Sequence, residues 1–302
     1  MRRSLIEWTD YSGGEANFVW RGRRPGDCEI SGGCRHCYVE RFWRRNPSAW
    51  PRDTTCYPEK LARLATCKPA PRDAPYRRGP GSKPMVFVCD TGDLFHDLVP
   101  DTFIVQALDT MLARDDVDWQ ILTKRIGRMW PLVNGWLEDR GMKVGPDWMW
   151  FGATVEYQRL DWRLERLMRL RSHRRWLSVE PMLGSLDLIE VLGLWLGDLA
   201  WVVVGGESGS EARPMHPDWA RQVRDACQAR GVPFFFKQWG EWAPWDGDEG
   251  AWLHVAAVRP DGTYYRYGEG IGNEGPASIM ARVGRKRAGR VLDGREWNEF
   301  PE

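Results

Sequence analysis

The stretch Trp119-Gln120-Ile121-Leu122-Thr123, followed by Lys124-Arg125 and the helical pattern of Ile126 to Arg140, decides the fold. Trp119 to Thr123 is a short apolar run with aromatic and branched side chains, which reads as a strand. The helix behind it leads to a second apolar run, Trp148 to Val155. Strand, polar tip, helix and strand make one βαβ unit of roughly 30 residues. The pattern extends in both directions. Upstream lie a strand from Met85 to Cys89 and a helix from Asp101 to Arg114, which Asp101 could cap behind Pro100. Downstream the strands are Arg175 to Val179, Trp201 to Val204 and Val232 to Phe236. Helices are expected between them, at Gln158 to Leu170, near Leu186 to Leu192, and at Pro217 to Arg230. Asn17 to Trp20 reads as the first strand, with short helices expected at Tyr38 to Arg45 and Tyr57 to Leu64. Continuous apolar strands alternating with helices predict a parallel sheet covered on both faces. The expected fold is α/β, a partial or nearly closed parallel (β/α) barrel, with a doubly wound open sheet as the alternative.

After Trp242 the pattern changes. Trp252 to Val258 and Thr263 to Tyr267, joined by Arg259-Pro260-Asp261-Gly262, predict a β-hairpin. Ala277 to Glu302 predicts a basic helix followed by a loop. The expected organisation is a barrel over 1–242 and a small C-terminal appendage over 243–302.

The 302 residues are 42% hydrophobic and 28% charged, ordinary globular composition that suits a core needing no disulfide staples. With 43 basic and 42 acidic residues, only local clusters could speak for a nucleic-acid partner. Met1-Arg2-Arg3 is followed by Glu7 and Asp10 before any apolar stretch forms, so no export signal is expected. The longest apolar run, Val191 to Gly206, is interrupted by Asp198 and glycines, so no membrane span is expected and the expected location is cytoplasmic.

Seven cysteines in such a chain argue against a disulfide framework. Three of them crowd into Cys28-Glu29-Ile30-Ser31-Gly32-Gly33-Cys34-Arg35-His36-Cys37, a C-x5-C-x2-C loop. Three thiolates on one loop can hold three irons of a cubane cluster and leave the fourth open to a cofactor. A zinc site completed by His36 or a distant ligand is the competing chemistry. No second C-x2-C or H-x3-H pair occurs in the sequence to complete it.

At this point the chain resembles the radical-SAM superfamily, in the branch near spore photoproduct lyase, and more closely a phage and prophage family of unassigned function. The resemblance rests on blocks in order: Ile6-Glu7-Trp8-Thr9-Asp10, the loop ending Cys37-Tyr38, Gly92-Asp93-Leu94-Phe95-His96, Leu122-Thr123-Lys124-Arg125, Ser178-Val179-Glu180-Pro181, Val204 to Gly209, and Phe236 to Trp242. The first cysteine gap is five residues, where the commonest superfamily spacing is three. The resemblance implies a 4Fe-4S iron-sulfur cluster on Cys28, Cys34 and Cys37. It also implies S-adenosyl-L-methionine as cofactor, a flavodoxin or ferredoxin type electron donor, and a 5′-deoxyadenosyl radical as the reactive species.

By the same resemblance the strand-tip block Asp90, Thr91 and Asp93 would hold the methionyl amino group, for which carboxylate and carbonyl acceptors are suited. Lys124 would pair with the methionyl carboxylate. Tyr38, closing the cysteine loop, belongs to the expected cofactor-binding set. Thr154 with Glu156, and Ser178 with Glu180, end successive strands, where ribose hydroxyls or substrate amines are plausible partners and ion pairs with nearby arginines the plainer one. Gly205 and Gly206 would let the backbone approach a ligand closely, with Glu207 beside them. Lys124, Glu156, Glu180 and Glu207 are the candidate catalytic residues. Lys237 to Trp242 could stack a base or dock the appendage. Two basic runs, Arg163 to Arg175 and Arg282 to Arg290, could track phosphates or simply be solvated faces. The leading reading is a radical-SAM enzyme acting on a nucleic-acid base or nucleotide in DNA, RNA or free form. The alternatives are a zinc-bearing nucleic-acid-binding protein and a redox-sensing cluster protein.

Overall fold

The computed structural model describes residues 1–23, 29–70, 76–245, 247, 255–266 and 277–302. Its main sheet has eight strands: β1 (Arg2–Arg3), β2 (Tyr11–Ser12), β3 (Met85–Phe87), β4 (Asp118–Thr123), β5 (Met149–Thr154), β6 (Arg175–Val179), β7 (Trp201–Gly205) and β8 (Phe234–Gln238). They lie side by side in chain order. β1 is antiparallel to β2, while β2 with β3, β3 with β4, β4 with β5 and β7 with β8 are parallel. A doubly wound sheet reverses its strand order at a switch point. Here the order never reverses and β1 does not pair with β8, so the fold is a partial parallel (β/α) barrel.

The helices are α1 (Val39–Arg45), α2 (Pro58–Leu64), α3 (Asp101–Leu112), α4 (Ile126–Asp139), α5 (Trp162–Met168), α6 (Leu188–Leu192), α7 (Pro217–Arg230) and α8 (Arg285–Ala288). α3 to α7 fill the crossovers that parallel strands require. None of the described helices is long and apolar enough to cross a membrane.

The chain divides into two compact units: Met1–Ile30, Val39–Thr154 and Arg166–Trp176 in the first, Ser31–Tyr38, Val155–Glu165 and Leu177–Glu302 in the second. The first unit is organised around buried indoles. Trp8 meets Phe87 and Trp176 edge-on, at 4.9 and 5.2 Å between ring centroids. Gly152 on β5 makes room for Trp176, since a Cβ there would lie 2.5 Å from the indole. In the second unit the triplets Val202-Val203-Val204 and Phe234-Phe235-Phe236 of β7 and β8 are buried, as are Val223 and Cys227 of α7. α7 is started by His216, whose ring accepts from the Asp218 N–H, and is ended by Gly231 at φ +66°.

Two expectations are corrected. Val19–Trp20 is not in the main sheet; it pairs with Thr55–Cys56 in a separate ribbon, and Tyr11–Ser12 takes the place beside β3. Gly13 and Gly14, both at positive φ, turn the chain out of the sheet before residue 19 is reached. The tail expected to be a helix from Ala277 is a strand over Ser278–Arg282, and the helix is only the four residues of α8. That strand lies between Trp242–Pro244 and Val255–Val258, so ladder pairing on both sides overrides the helical preference of Met280, Ala281 and Arg282. The turn Arg259 to Gly262 joins Val255–Val258 to Tyr264–Arg266, with Gly262 at φ +91°. Residues 252–254 and 267, which the sequence assigned to this hairpin, lie outside the described residues.

Candidate functional site

In the second unit, Ser31 is extended and the chain then makes one tight turn over Gly32–Cys34. The Cys34 N–H donates to the Ser31 carbonyl at 3.0 Å, and the Cys37 N–H to the Cys34 carbonyl at 3.3 Å. Successive turns thus carry Cys34, which is buried, and Cys37, which is half-buried. Cys28 lies outside the described residues, and the three-cysteine ligand set with it. Among the described residues no group of three His, Cys, Asp or Glu side chains is placed to hold a metal ion. Two soft thiols, three residues apart on one tight loop, are donors of the kind that zinc and iron-sulfur clusters both take.

Two carboxylates secure this loop. Glu156 has no solvent exposure; its Oε2 lies 3.0 Å from Nη1 of Arg163, itself 1% exposed. Its Oε1 accepts from the Ser31 hydroxyl, whose oxygen is 3.6 Å from Cys34 Sγ. Gly33 must be glycine, because a Cβ would stand 2.8 Å from Glu156 Oε1 and 3.0 Å from Pro181. Glu207 is gripped by Arg213, with Nε to Oε2 at 2.8 Å and Nη2 to Oε1 at 2.7 Å. The same Nη2 donates to the Gly32 carbonyl at 2.9 Å. His36 places Nδ1 3.5 Å from Glu207 and Nε2 3.8 Å from Glu211, so both ring nitrogens of the candidate zinc ligand face carboxylates.

Beside this system, Glu180 Oε1 lies 2.8 Å from Lys237 Nζ, and Ser178 Oγ is 3.4 Å from Glu180 Oε2. Gly205 approaches the same carboxylate; a Cβ there would be 2.8 Å from Oε1. Gly206 and Gly240 interlock two chain segments, since a Cβ would meet the Trp239 carbonyl oxygen at 2.0 Å and the Glu207 carbonyl oxygen at 2.1 Å respectively. The close approach expected of Gly205 and Gly206 is therefore made to the protein itself. Tyr38 is exposed and Ser178 buried.

In the first unit, Asp93 is buried and fully engaged. It accepts from Thr123 Oγ1 at 2.7 and 2.9 Å, from the Phe95 and Lys124 N–H groups, and stands 3.4 Å from Arg125 Nη1. Thr91 accepts from Asn17 Nδ2. Gly92 lies on the Val19 backbone, where a Cβ would be 2.3 Å from the carbonyl oxygen. Burial pushes the Asp90 carboxyl up, while the Ser12 hydroxyl and the charge of Lys60 pull it down. Lys60 sits over the Trp20 and Tyr57 rings at 4.2 and 4.9 Å, and burial lowers its ammonium below the ordinary range. Thr154 is buried and Lys124 half-buried.

The second unit brings together Cys34, Cys37, Glu156 and Glu207 in one system, and Ser178, Glu180, Gly205 and Lys237 in another. Asp90, Thr91, Asp93, Lys124 and Thr154 belong to the first unit. Sequence reasoning missed the specific partners Ser31, Arg213 and Arg125, and placed Arg163 in a basic run. For two of them a signal was present: Glu156 and Glu207 have their arginines seven and six residues downstream, at Arg163 and Arg213. The run from Arg163 to Arg175 does not form one charged face. Arg163 is buried, Arg171 donates to the Asn134 carbonyl and Arg175 to that of Met168. Arg285, Lys286 and Arg287 on α8 are exposed, whereas Arg282 and Arg290 bond to backbone carbonyls.

Among solved structures the chain is similar to spore photoproduct lyase. One point mutant aligns at 11% identity and a TM-score of 0.38, covering 83% of this chain and 65% of that one. A complex with dinucleoside spore photoproduct aligns at 12% and 0.37, covering 82% and 64%. A double mutant with bound AdoMet and dinucleoside spore photoproduct aligns at 12% and 0.38, covering 82% and 64%. The chain thus spans just under two thirds of the length of these proteins. No curated protein matches the sequence. The model of one family, described as "Protein of unknown function (DUF5131)", matches residues 3–301, and the chain belongs to that family.

Proposed function

We propose that the protein is a radical S-adenosylmethionine enzyme that acts on a nucleic-acid base or nucleotide. The observation that carries this reading is the loop from Ser31 to Cys37, where a buried thiol and a half-buried thiol lie on successive turns, and the pairs Glu156–Arg163 and Glu207–Arg213 hold the Ser31 hydroxyl and the Gly32 carbonyl just ahead of them. Cys34 and Cys37, with Cys28, would hold a 4Fe-4S cluster. Such a cluster, with S-adenosylmethionine at its open iron, supplies one-electron cleavage of the sulfonium to a 5′-deoxyadenosyl radical.

The chain's own residues orient and exclude. Glu156 and Glu207 act on the cysteine loop, through Ser31 and Arg213. Asp90 and Lys124 are assigned to the methionyl ammonium and carboxylate, and Glu180 with Lys237 to polar groups of the adenosine or substrate. Asp93, whose oxygens accept from Thr123 and stand beside Arg125, is assigned with them to shaping the strand tip that faces the methionyl group. The exposed Arg285, Lys286 and Arg287 support a polyanionic substrate. His36, flanked by Glu207 and Glu211, is poorly disposed to complete a zinc site. A flavodoxin or ferredoxin type donor would deliver the electron in the cytoplasm, and residues 243–302 would form a small C-terminal appendage.

The test is anaerobic reconstitution with iron and sulfide, then incubation with dithionite and S-adenosylmethionine. Formation of 5′-deoxyadenosine, detected by mass spectrometry and absent in Cys34→Ala, is expected. A chain that holds a cluster yet yields none would be a redox protein of another kind. DNA, RNA and nucleotides are then added in turn, and an increase in 5′-deoxyadenosine names the substrate class.

A further inference from the structure

We infer that Ser31, held by the buried Glu156–Arg163 pair, is a positioning residue that hydrogen-bonds Cys34 Sγ and sets the electron affinity of the iron-sulfur cluster. The inference rests on the cluster reading above and adds a control on its potential.

The geometry is a three-step polar chain inside the second unit. Arg163 Nη1 stands 3.0 Å from Glu156 Oε2, both side chains excluded from water. Glu156 Oε1 receives the Ser31 hydroxyl. The Ser31 oxygen is 3.6 Å from Cys34 Sγ, within hydrogen-bonding reach of a sulfur atom. A hydroxyl has one proton and two acceptor sites, so it can serve either neighbour. Facing a thiol, it accepts from the sulfur while donating to Glu156. Facing a thiolate bound to iron, which can only accept, it turns its single proton to the sulfur and gives up the bond to Glu156, whose other oxygen keeps its ion pair with Arg163.

The surroundings leave the serine little freedom to do anything else. Gly33, two residues after Ser31, is pressed against Glu156 and Pro181, which confines the chain there. The Ser31 carbonyl is fixed by the Cys34 N–H, and the next carbonyl, of Gly32, by Arg213. The serine's backbone and side chain are thus both anchored on the side of the ligand sulfur. A hydrogen bond to a cluster sulfur stabilises the more negative, reduced state and raises the reduction potential. Partners of this kind also change metal retention, by about ten- to a hundredfold when removed. A serine that only closes the turn would alter folding stability and leave the potential unchanged.

The test uses the full chain reconstituted with iron and sulfide under anaerobic conditions, as wild type, Ser31→Ala and Ser31→Thr. The readouts are the midpoint potential by spectroelectrochemistry and the rate at which a chelator strips iron. Ser31→Ala is expected to shift the midpoint to more negative potential and to lose iron about tenfold faster or more. Ser31→Thr, which keeps the hydroxyl, is expected to restore both. If wild type holds a cluster and Ser31→Ala matches its potential, the inference is overturned while the cluster reading stands. If Ser31→Ala retains no iron at all, wild-type potential in Ser31→Thr supports the inference, and equal loss in Ser31→Thr overturns it. A wild-type chain that binds no iron overturns both.

Discussion

The tip of β3 in the first unit and the tip of β7 in the second use the same three parts for different ends. Each has a glycine pressed on backbone, Gly92 against Val19 and Gly206 against Trp239. Each follows it by one residue with a buried carboxylate, Asp93 or Glu207. Each carboxylate is met by an arginine, Arg125 or Arg213. The side-chain partners of Asp93 come from the tip of the neighbouring strand, so that its bonds tie two adjacent strand ends together. The partners of Glu207 lead to the cysteine loop, through Arg213 to Gly32 and directly to His36. A buried carboxylate at a barrel strand end can thus be a fastening or a handle on the cysteine loop, and only its partners distinguish the two.

The largest effects should come from the glycines, and should be alike at both tips. Gly92→Ala and Gly206→Ala each force a Cβ into a carbonyl oxygen that no rotamer change can relieve. Urea unfolding should show a loss of about 3 kcal/mol or more in each. Gly205→Ala, which meets a side chain, should cost less.

The carboxylates should separate the tips. Asp93→Ala takes from Arg125 its buried counter-charge, leaving only the exposed Asp97 carboxylate at 3.7 Å, and should cost about 3 kcal/mol. Glu207→Ala should cost less, about 1 to 3 kcal/mol, because Arg213 retains some access to water. It should however expose residues 31–38 to limited proteolysis, which Asp93→Ala should not. Equal protease sensitivity in the two variants would remove the distinction.

How much of this could be read from the sequence follows from what each signal encodes. The strands β3 to β8 were legible because each is a short apolar run between helix-period segments, and such runs have few other uses. The cysteine loop stood out because three cysteines in ten residues have few meanings. The misplaced first strand and the final helix were not, because local propensity does not report a glycine turn such as Gly13-Gly14 or a strand slotted between two others. Glu156 and Glu207 could be singled out as polar strand tips. Their employment on Ser31, Arg163 and Arg213 could not, since it depends on which side chains the fold brings within 3 Å. Gly206 could be noted as permissive, yet the object it approaches proved to be the chain itself.

Smaller effects are expected away from both tips. Burial lowers the His216 imidazole below its ordinary value of 6.5, and its two nitrogens are engaged by the Asp218 N–H and the Ser278 hydroxyl. Below 6.5 the unfolded chain takes up a proton that the folded chain resists, so stability should decline as pH falls from there toward the lowered folded value. Replacing His216 with Gln should flatten that part of the profile of melting temperature against pH. On α8, Arg285, Lys286 and Arg287 are exposed. Their triple alanine variant should keep the wild-type melting temperature, and should lower the salt dependence of nucleic-acid binding by about one unit of slope for each phosphate no longer neutralised.

The central claim is tested most directly by the metal content of anaerobically prepared protein, measured as iron, acid-labile sulfide and zinc per chain. About four iron and four sulfide per chain, lost in Cys34→Ala and in Cys37→Ala, is the predicted result. One tightly held zinc with no sulfide would contradict it.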